Sequence, residues 1–342
     1  MEKSNPNKRL PEFDIAKGIA ILCVILGHLG IKSINRIVFL FHMPLFFLIS
    51  GYFLSLNDSF EQFSKKKFKQ CIIPYIATCV AICIASVPVS MYFHQDVGRN
   101  LLKWFCGSIY GSGTLPGIIP GFPSFIGALW FLEALFFGCL IVRYLIERFS
   151  LKDAAIIILI VAYIGYATAR KAWLPFNIQA GCTAAGFIYL GYIFRRESFV
   201  QKTINLPLLL SLIFIVVWCV KFFNGFWLVQ NYFGNGWMDV IGACAASYLI
   251  LLACRIIATK DSFFSKTMQW YGKNSIVVLA FHIIELNLIP KAGALSWING
   301  FGFSSALSIV ILVFLKIAWA SLGIVLVNHA PVLKRIFFPG KS

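Results

Sequence analysis

Five histidines, thirteen acidic and thirty basic side chains are spread through 342 residues, and a few recur at spacings that put chemistry on one helix face. Asp14 and Lys17 stand three positions apart, so on a helix they share a face and can pair. His28 follows Lys17 on nearly the same face after close to three whole turns, about 16 Å farther along the axis. That stripe joins a cation at one helix end to a deep imidazole, the side chain best suited to exchange a proton near neutral pH. His42, in FHMPLFFLISGYFL, falls at a similar depth if the two segments form a hairpin, so either ring could orient the other or share its proton. As a lone ring it reads equally well as an interfacial histidine. Ser50 and Gly51, farther along the same segment, are small enough to admit a helix or a ligand, or simply to pack.

Farther on, LWFLEALFF places Glu133 inside an apolar run, and FHIIE puts His282 and Glu285 on one face. A carboxylate beside an imidazole fixes the ring and suits a proton relay or base; pairing that only holds helices together is the rival reading. Lys316, inside the last apolar run, needs a carboxylate partner, and both Glu133 and Glu285 are candidates. The run KKKFK supplies Lys65, Lys66, Lys67 and Lys69. It reads as topogenic charge, as an anionic-lipid contact or as a phosphate clamp. His94 and His329 read as interfacial. The ten cysteines include no close CxxC pair, so no metal site is expected. No Walker loop, GxGxxG, HExxH or GxSxG is present, which argues against nucleotide-driven pumps, zincins and hydrolases with a nucleophile elbow.

The elements that must position these groups follow from composition. With 59% hydrophobic and 13% charged residues and a mean hydropathy of +0.82, the chain needs lipid as its solvent. Its apolar blocks fall near residues 15–34, 37–56, 71–93, 126–147, 153–172, 178–194, 206–223, 237–258, 274–290 and 304–328, each of a length that crosses a bilayer as a helix. They do not alternate as barrel strands would. The reading is an all-α integral membrane protein of about ten transmembrane helices. Lys and Arg gather at 3–17, 65–69, 143–152, 195–202, 255–273 and 334–341 and are sparse in the other loops, which places both termini in the cytoplasm. Dispersed in this way, the net charge of +17 speaks for topology and not for nucleic acid. Residues 1–14 read as a cytoplasmic segment, 15–328 as a single membrane domain and 329–342 as a cytoplasmic tail. The first apolar run lacks a cleavage pattern and reads as a retained signal anchor. Residues 94–125, rich in Gly and Pro towards their end, read as an outer loop or a re-entrant segment. Buried His, Glu and Lys groups would also serve a secondary transporter or flippase, though no repeated halves are visible.

In order and spacing, RLPEFDIAKGIAILCVILGH, FHMPLFFLISGYFL, LWFLEALFF and YGKNSIVVLAFH resemble the acyltransferase family 3 membrane proteins, in particular the branch described as fucose 4-O-acetylase-like. The resemblance implies a ten-helical membrane-bound O-acyltransferase of the bacterial inner membrane, moving acetyl from acetyl-CoA, or another acyl-CoA, to a hydroxyl of a cell-surface or lipid-linked carbohydrate. It makes His28 the essential histidine and Lys17 the basic position before it, where many members carry arginine, and it matches SGYFL to the motif closing the second helix. On this reading the anionic donor docks at the cytoplasmic face near Asp14, Lys17, Ser50 and Lys65 to Lys69. His28, assisted by His42 or Glu133, is then base or transient acyl carrier. The implied partners are the bilayer and a glycan acceptor.

Overall fold

A computed structural model describes residues 10–339. Lys3, Lys8, Arg9 and Lys341, counted above among the cytoplasmic charges, lie outside the described residues. In chain order the helices are α1 (Pro11–Gly27), α2 (Lys32–Tyr52), α3 (Phe60–Lys67), a π-helical turn (Phe68–Ile72), α4 (Ile73–Tyr92), α5 (Val97–Tyr110), α6 (Trp130–Arg148), α7 (Leu151–Ala169), α8 (Ile178–Arg196) and α9 (Leu206–Lys221). A two-stranded antiparallel hairpin (Phe226–Trp227 with Tyr232–Phe233) precedes α10 (Trp237–Ala258), α11 (Phe263–Lys273), α12 (Ser275–Leu288), α13 (Lys291–Asn299), α14 (Ser305–His329) and α15 (Pro331–Phe337).

Each of the ten apolar blocks coincides with a helix of the bundle. Six helical stretches among the described residues are long and apolar enough to cross a membrane: α2, 60–92, 127–148, α7, α10 and α14. A seventh arises if α12 and α13, bent by 80° at their junction, count as one span. The outward faces of the bundle are apolar, with Ile84 68%, Phe214 70% and Phe314 70% exposed, a belt that lipid tolerates and water does not.

Several boundaries differ from the sequence reading, among them the start of the third span, which lies within a helical stretch 60–92. The first helix begins at Pro11, pre-shaped for a first turn, and ends at Gly27, because Gly30 takes a left-handed φ of +71° that turns the chain into α2. Residues 94–125 are not wholly loop. Asp96 caps α5 by accepting from the Arg99 amide at 2.8 Å, and Gly111, at a φ of +83°, closes it. The amphipathic stretch between those signals packs against α4 on its apolar side.

Backbones approach closely where side chains are absent. A Cβ at Gly18 would fall on the Met268 carbonyl, and one at Gly272 on the Asp14 carbonyl, so α1 and α11 meet almost backbone to backbone. A Cβ at Gly51 would fall on the Ile188 carbonyl and one at Gly191 on that of Leu48, joining α2 to α8 in the same way. Arg143, a topogenic charge by sequence, is instead 1% exposed and donates to the Asp58 carbonyl at 2.8 Å, anchoring the turn that leads into α3.

Gly51→Ala is expected to destabilise the bundle by about 1–3 kcal/mol through overpacking. Gly186→Ala on α8, where an added Cβ meets nothing within 4 Å, serves as the matched control. Thermal unfolding of the detergent-solubilised variants should lower the midpoint for the first and leave it near wild type for the second.

Candidate active site

The stripe read from the sequence on the first helix, together with His42 and Ser50 of the second, lines one cavity of about 660 Å³. From α1 come Lys17, Ile21, Val24 and His28, and from α2 come Phe39, His42, Met43, Phe46 and Ser50, each set at helical spacing along one face. Lys67, Gln70 and Cys71 join at the Lys17 end. Past the histidines, Gly113, Thr114, Trp130, Trp227 and Gln230 close the other end.

His28 caps α1, where the helix leaves its last carbonyls unpaired, and its Nδ1 lies 2.8 Å from the Val24 carbonyl. The turn behind it is held by Lys291, whose ammonium donates to the Leu29 carbonyl. His42 is 3% exposed, and its Nδ1 is hydrogen-bonded to the Val38 carbonyl one turn back. Both rings therefore face the cavity with their Nδ1 side held by backbone. The imidazole within hydrogen-bond reach of His28 is that of His282, with Nε2 of His282 3.2 Å from Nδ1 of His28. Nδ1 of His282 lies 3.5 Å from Oε2 of Glu285, and Lys316 pairs with the other oxygen of that carboxylate. His282, Glu285 and Lys316 stand behind His28 and do not line the cavity.

The basic residues divide sharply. Lys17 pairs with Asp14 at 2.9 Å and keeps its head at the cavity. Lys65 is taken by Glu61 at 2.6 Å and Lys66 by Asp58 at 2.8 Å, both near the surface, and Lys69 is exposed. Lys67 alone of that run lines the cavity. The π-helical turn that follows widens the helix and brings Gln70 and Cys71 round to the same side. Ser50 spends its hydroxyl on the Phe46 carbonyl at 2.8 Å.

Glu133 sits elsewhere. It is 2% exposed and accepts from the Asn177 amide, which also donates to the Gly111 carbonyl. A Cβ at Gly111 would fall on that carboxylate, and Asn177 holds a left-handed φ of +51° at the start of α8. The carboxylate thus clamps three chain segments together and is absent from the cavity lining, whereas Glu285 is the partner of Lys316. Among the described residues no group of three or more His, Cys, Asp and Glu side chains is placed to hold a metal ion.

The sequence reading missed the far end of the cavity. Gln230 donates to Thr114 at 2.9 Å, tying the hairpin to the loop after α5, and Trp227 stacks on Tyr232 with ring centroids 5.1 Å apart. The one local signal was the pair of aromatic dipeptides FW and YF, separated by four residues between glycines.

The sequence matches the acyltransferase domain family over residues 10–325, and the chain belongs to that family. It is similar to nodulation protein NolL of Sinorhizobium fredii, 28% identical over 172 residues that cover 44% of this chain and 42% of that protein. It is also similar to NolL of Mesorhizobium japonicum, 29% identical over 154 residues that cover 41% of this chain and 36% of that protein. The aligned segments thus span less than half of either relative. No solved structure matches the chain.

The matched region contains both the cavity and the Glu133 clamp, and the two are separable by experiment. Asn177→Ala strips a buried carboxylate and a buried carbonyl of their donor, at an expected cost of about 1–3 kcal/mol. Its unfolding midpoint in detergent should fall clearly below that of Glu133→Gln, which leaves no charge without a partner. Asn177→Ala melting with wild type would rule the clamp out.

Proposed function

We propose that the chain is a membrane-bound O-acyltransferase that moves acetyl from acetyl-CoA, or a related acyl group from another acyl-CoA, to a hydroxyl of a cell-surface or lipid-linked carbohydrate. The observation that carries this reading is one cavity with cations at one end, two imidazoles midway and aromatic and amide groups at the other end. Phosphates need cations. Sugars suit flat aromatic faces flanked by amides and hydroxyls. A thioester meeting a hydroxyl between them needs a base.

On this reading Lys17 and Lys67 hold the donor's phosphates, with Gln70 and Ser50 beside them and Asp14 steering Lys17. Lys65, Lys66 and Lys69 stay at the surface and raise the local concentration of the anionic donor. The acyl arm lies along Ile21, Val24, Met43 and Phe46. The acceptor enters past Trp227 and Gln230. His28 takes the hydroxyl proton as the oxygen attacks the thioester carbonyl; the carbon–sulfur bond breaks and the departing thiolate collects the proton. His42 supplies a second imidazole in the same space. Glu133 stays in its clamp and outside the chemistry. The functional unit is the membrane domain 15–328, with ten spans and both termini cytoplasmic in a bacterial inner membrane. The Lys17 end of the cavity then opens to the compartment that holds acyl-CoA.

Thiol release from acetyl-CoA by purified protein, with bacterial glycan extracts as acceptor, tests the reading. His28→Ala should lower kcat by about 10²–10⁴ without loss of membrane insertion. Lys17→Ala and Lys67→Ala should each raise the donor KM by roughly tenfold, the worth of a charge-assisted contact. Full activity in His28→Ala would overturn the catalytic assignment. No release from folded protein across several donors and acceptors would favour transport.

A further inference from the structure

We propose that Lys316, Glu285 and His282 form a positioning chain behind His28 that fixes which of its ring nitrogens carries the proton and leaves Nε2 as the free lone pair at the cavity. The inference rests on the reading of His28 as the base and names the groups that prepare it.

The chain is determined link by link. Lys316 stands in the middle of α14, 4% exposed, and an ammonium can only donate. So deep a cation needs an anion, and its partner is Glu285. The other oxygen of that carboxylate, Oε2, has no hydrogen-bond partner among the described residues, and neither has Nδ1 of His282, which faces it at 3.5 Å. That separation is longer than a hydrogen bond, yet each atom is the one group placed to satisfy the other. A carboxylate accepts only, so the proton of His282 belongs on Nδ1 and its Nε2 is an acceptor. That Nε2 lies 3.2 Å from Nδ1 of His28, which also lies 2.8 Å from the Val24 carbonyl, a second acceptor. Facing two acceptors, Nδ1 of His28 carries the proton. Its Nε2 keeps the lone pair.

The opposite assignment fails at each step. A proton on Nε2 of His282 would set two lone pairs against each other at Glu285, and would press the unprotonated Nδ1 of His28 against the Val24 carbonyl. Packing makes the register unambiguous. Lys316, Trp319 and Gly323 share a face of α14; Trp319 donates to the Phe281 carbonyl at 2.9 Å, and Gly323 leaves room for the Phe281 ring. The contact of α12 with α14 therefore sets Glu285 beside Lys316, and the contact of α12 with α1 sets His282 beside His28.

No proton has to leave through the chain. When His28 takes the acceptor's proton at Nε2, the new imidazolium still donates from Nδ1 to His282 and Val24, and the proton returns from Nε2 to the departing thiolate. The chain orients the base and steadies its charged form, as an aspartate does for the histidine of a serine protease.

Histidine-selective ¹⁵N spectra of the solubilised wild-type protein test the assignment, since the chain has five histidines and His28→Ala and His282→Ala identify two of them. Both rings should be protonated at Nδ1. Protonation of neutral His28 at Nε2 overturns the proposal. In kinetics, the charge-neutral pair Glu285→Gln with Lys316→Met should lower kcat about tenfold or more while leaving both substrate KM values in place, and Lys316→Arg should restore most of the rate. Wild-type kcat in the double variant also overturns the proposal. Loss of transfer in His28→Ala together with wild-type kcat in the double variant would sink the chain alone. Activity retained in His28→Ala with Nδ1 protonated would sink the base assignment and leave the chain standing.

Discussion

How α1 is held decides almost everything else about the interior. The helix is buried on most sides, through Phe13, Ile15, Ala16, Ala20, Ile21, Val24 and Ile25, so apolar burial alone does not choose its rotation. The choice comes from the close approach to α11, where Gly18 and Gly272 let the two backbones touch, while Asp14 shares that side and ties down Lys17. With that side pinned, Lys17, Ile21, Val24 and His28 have one direction left to face, and it is the cavity. In lipid, where apolar surfaces give little preference between one helix rotation and another, small-residue contacts and polar pairs carry the specificity that the hydrophobic effect supplies in water.

The same economy explains the two buried carboxylates, which the sequence presents as equivalent. Glu133 meets a neutral amide and the bare face of Gly111, so it serves as a clamp among α6, the end of α5 and the start of α8. Glu285 meets an ammonium on one oxygen and an imidazole on the other. A carboxylate whose charge is balanced by lysine can face a histidine without having to draw a proton from it. Environment, and not residue type, separates the structural acid from the one beside the site.

Much of this was legible beforehand because it is local and periodic. The three-turn interval from Lys17 to His28, the three-residue step from His282 to Glu285 and the ten apolar blocks are all properties of single helices, and helices keep their geometry whatever surrounds them. What stayed hidden is non-local or aperiodic. Nothing in the spacing says that His28 meets His282 and not the nearer His42, because that contact joins residues 254 positions apart through the packing of α1, α12 and α14. Nothing in KKKFK singles out Lys67; a π-helical turn and the acidic neighbours of Lys65 and Lys66 do that. The α5 helix was masked by the glycines and prolines that follow it, although Asp96 and Gly111 are ordinary helix boundaries.

The lining of the cavity bears on why such a site would transfer and not hydrolyse. Between the lysines and the histidines it presents Ile21, Val24, Met43 and Phe46, with Phe131, Leu132 and Leu135 facing them, and Ser50 has already committed its hydroxyl to the backbone. Water in that stretch would find few partners, so a thioester lying there is shielded from the one nucleophile that is always present. Beyond the histidines the lining carries Thr114 and Gln230, which bond to each other and on the proposed reading would be displaced by the acceptor. A base that is dry on the donor side and hydrogen-bond-rich on the acceptor side favours the hydroxyl that can bind, and bulk water cannot match its positioning. On the proposed reading, the apolar stripe between the charged residues is therefore as much a part of the chemistry as His28.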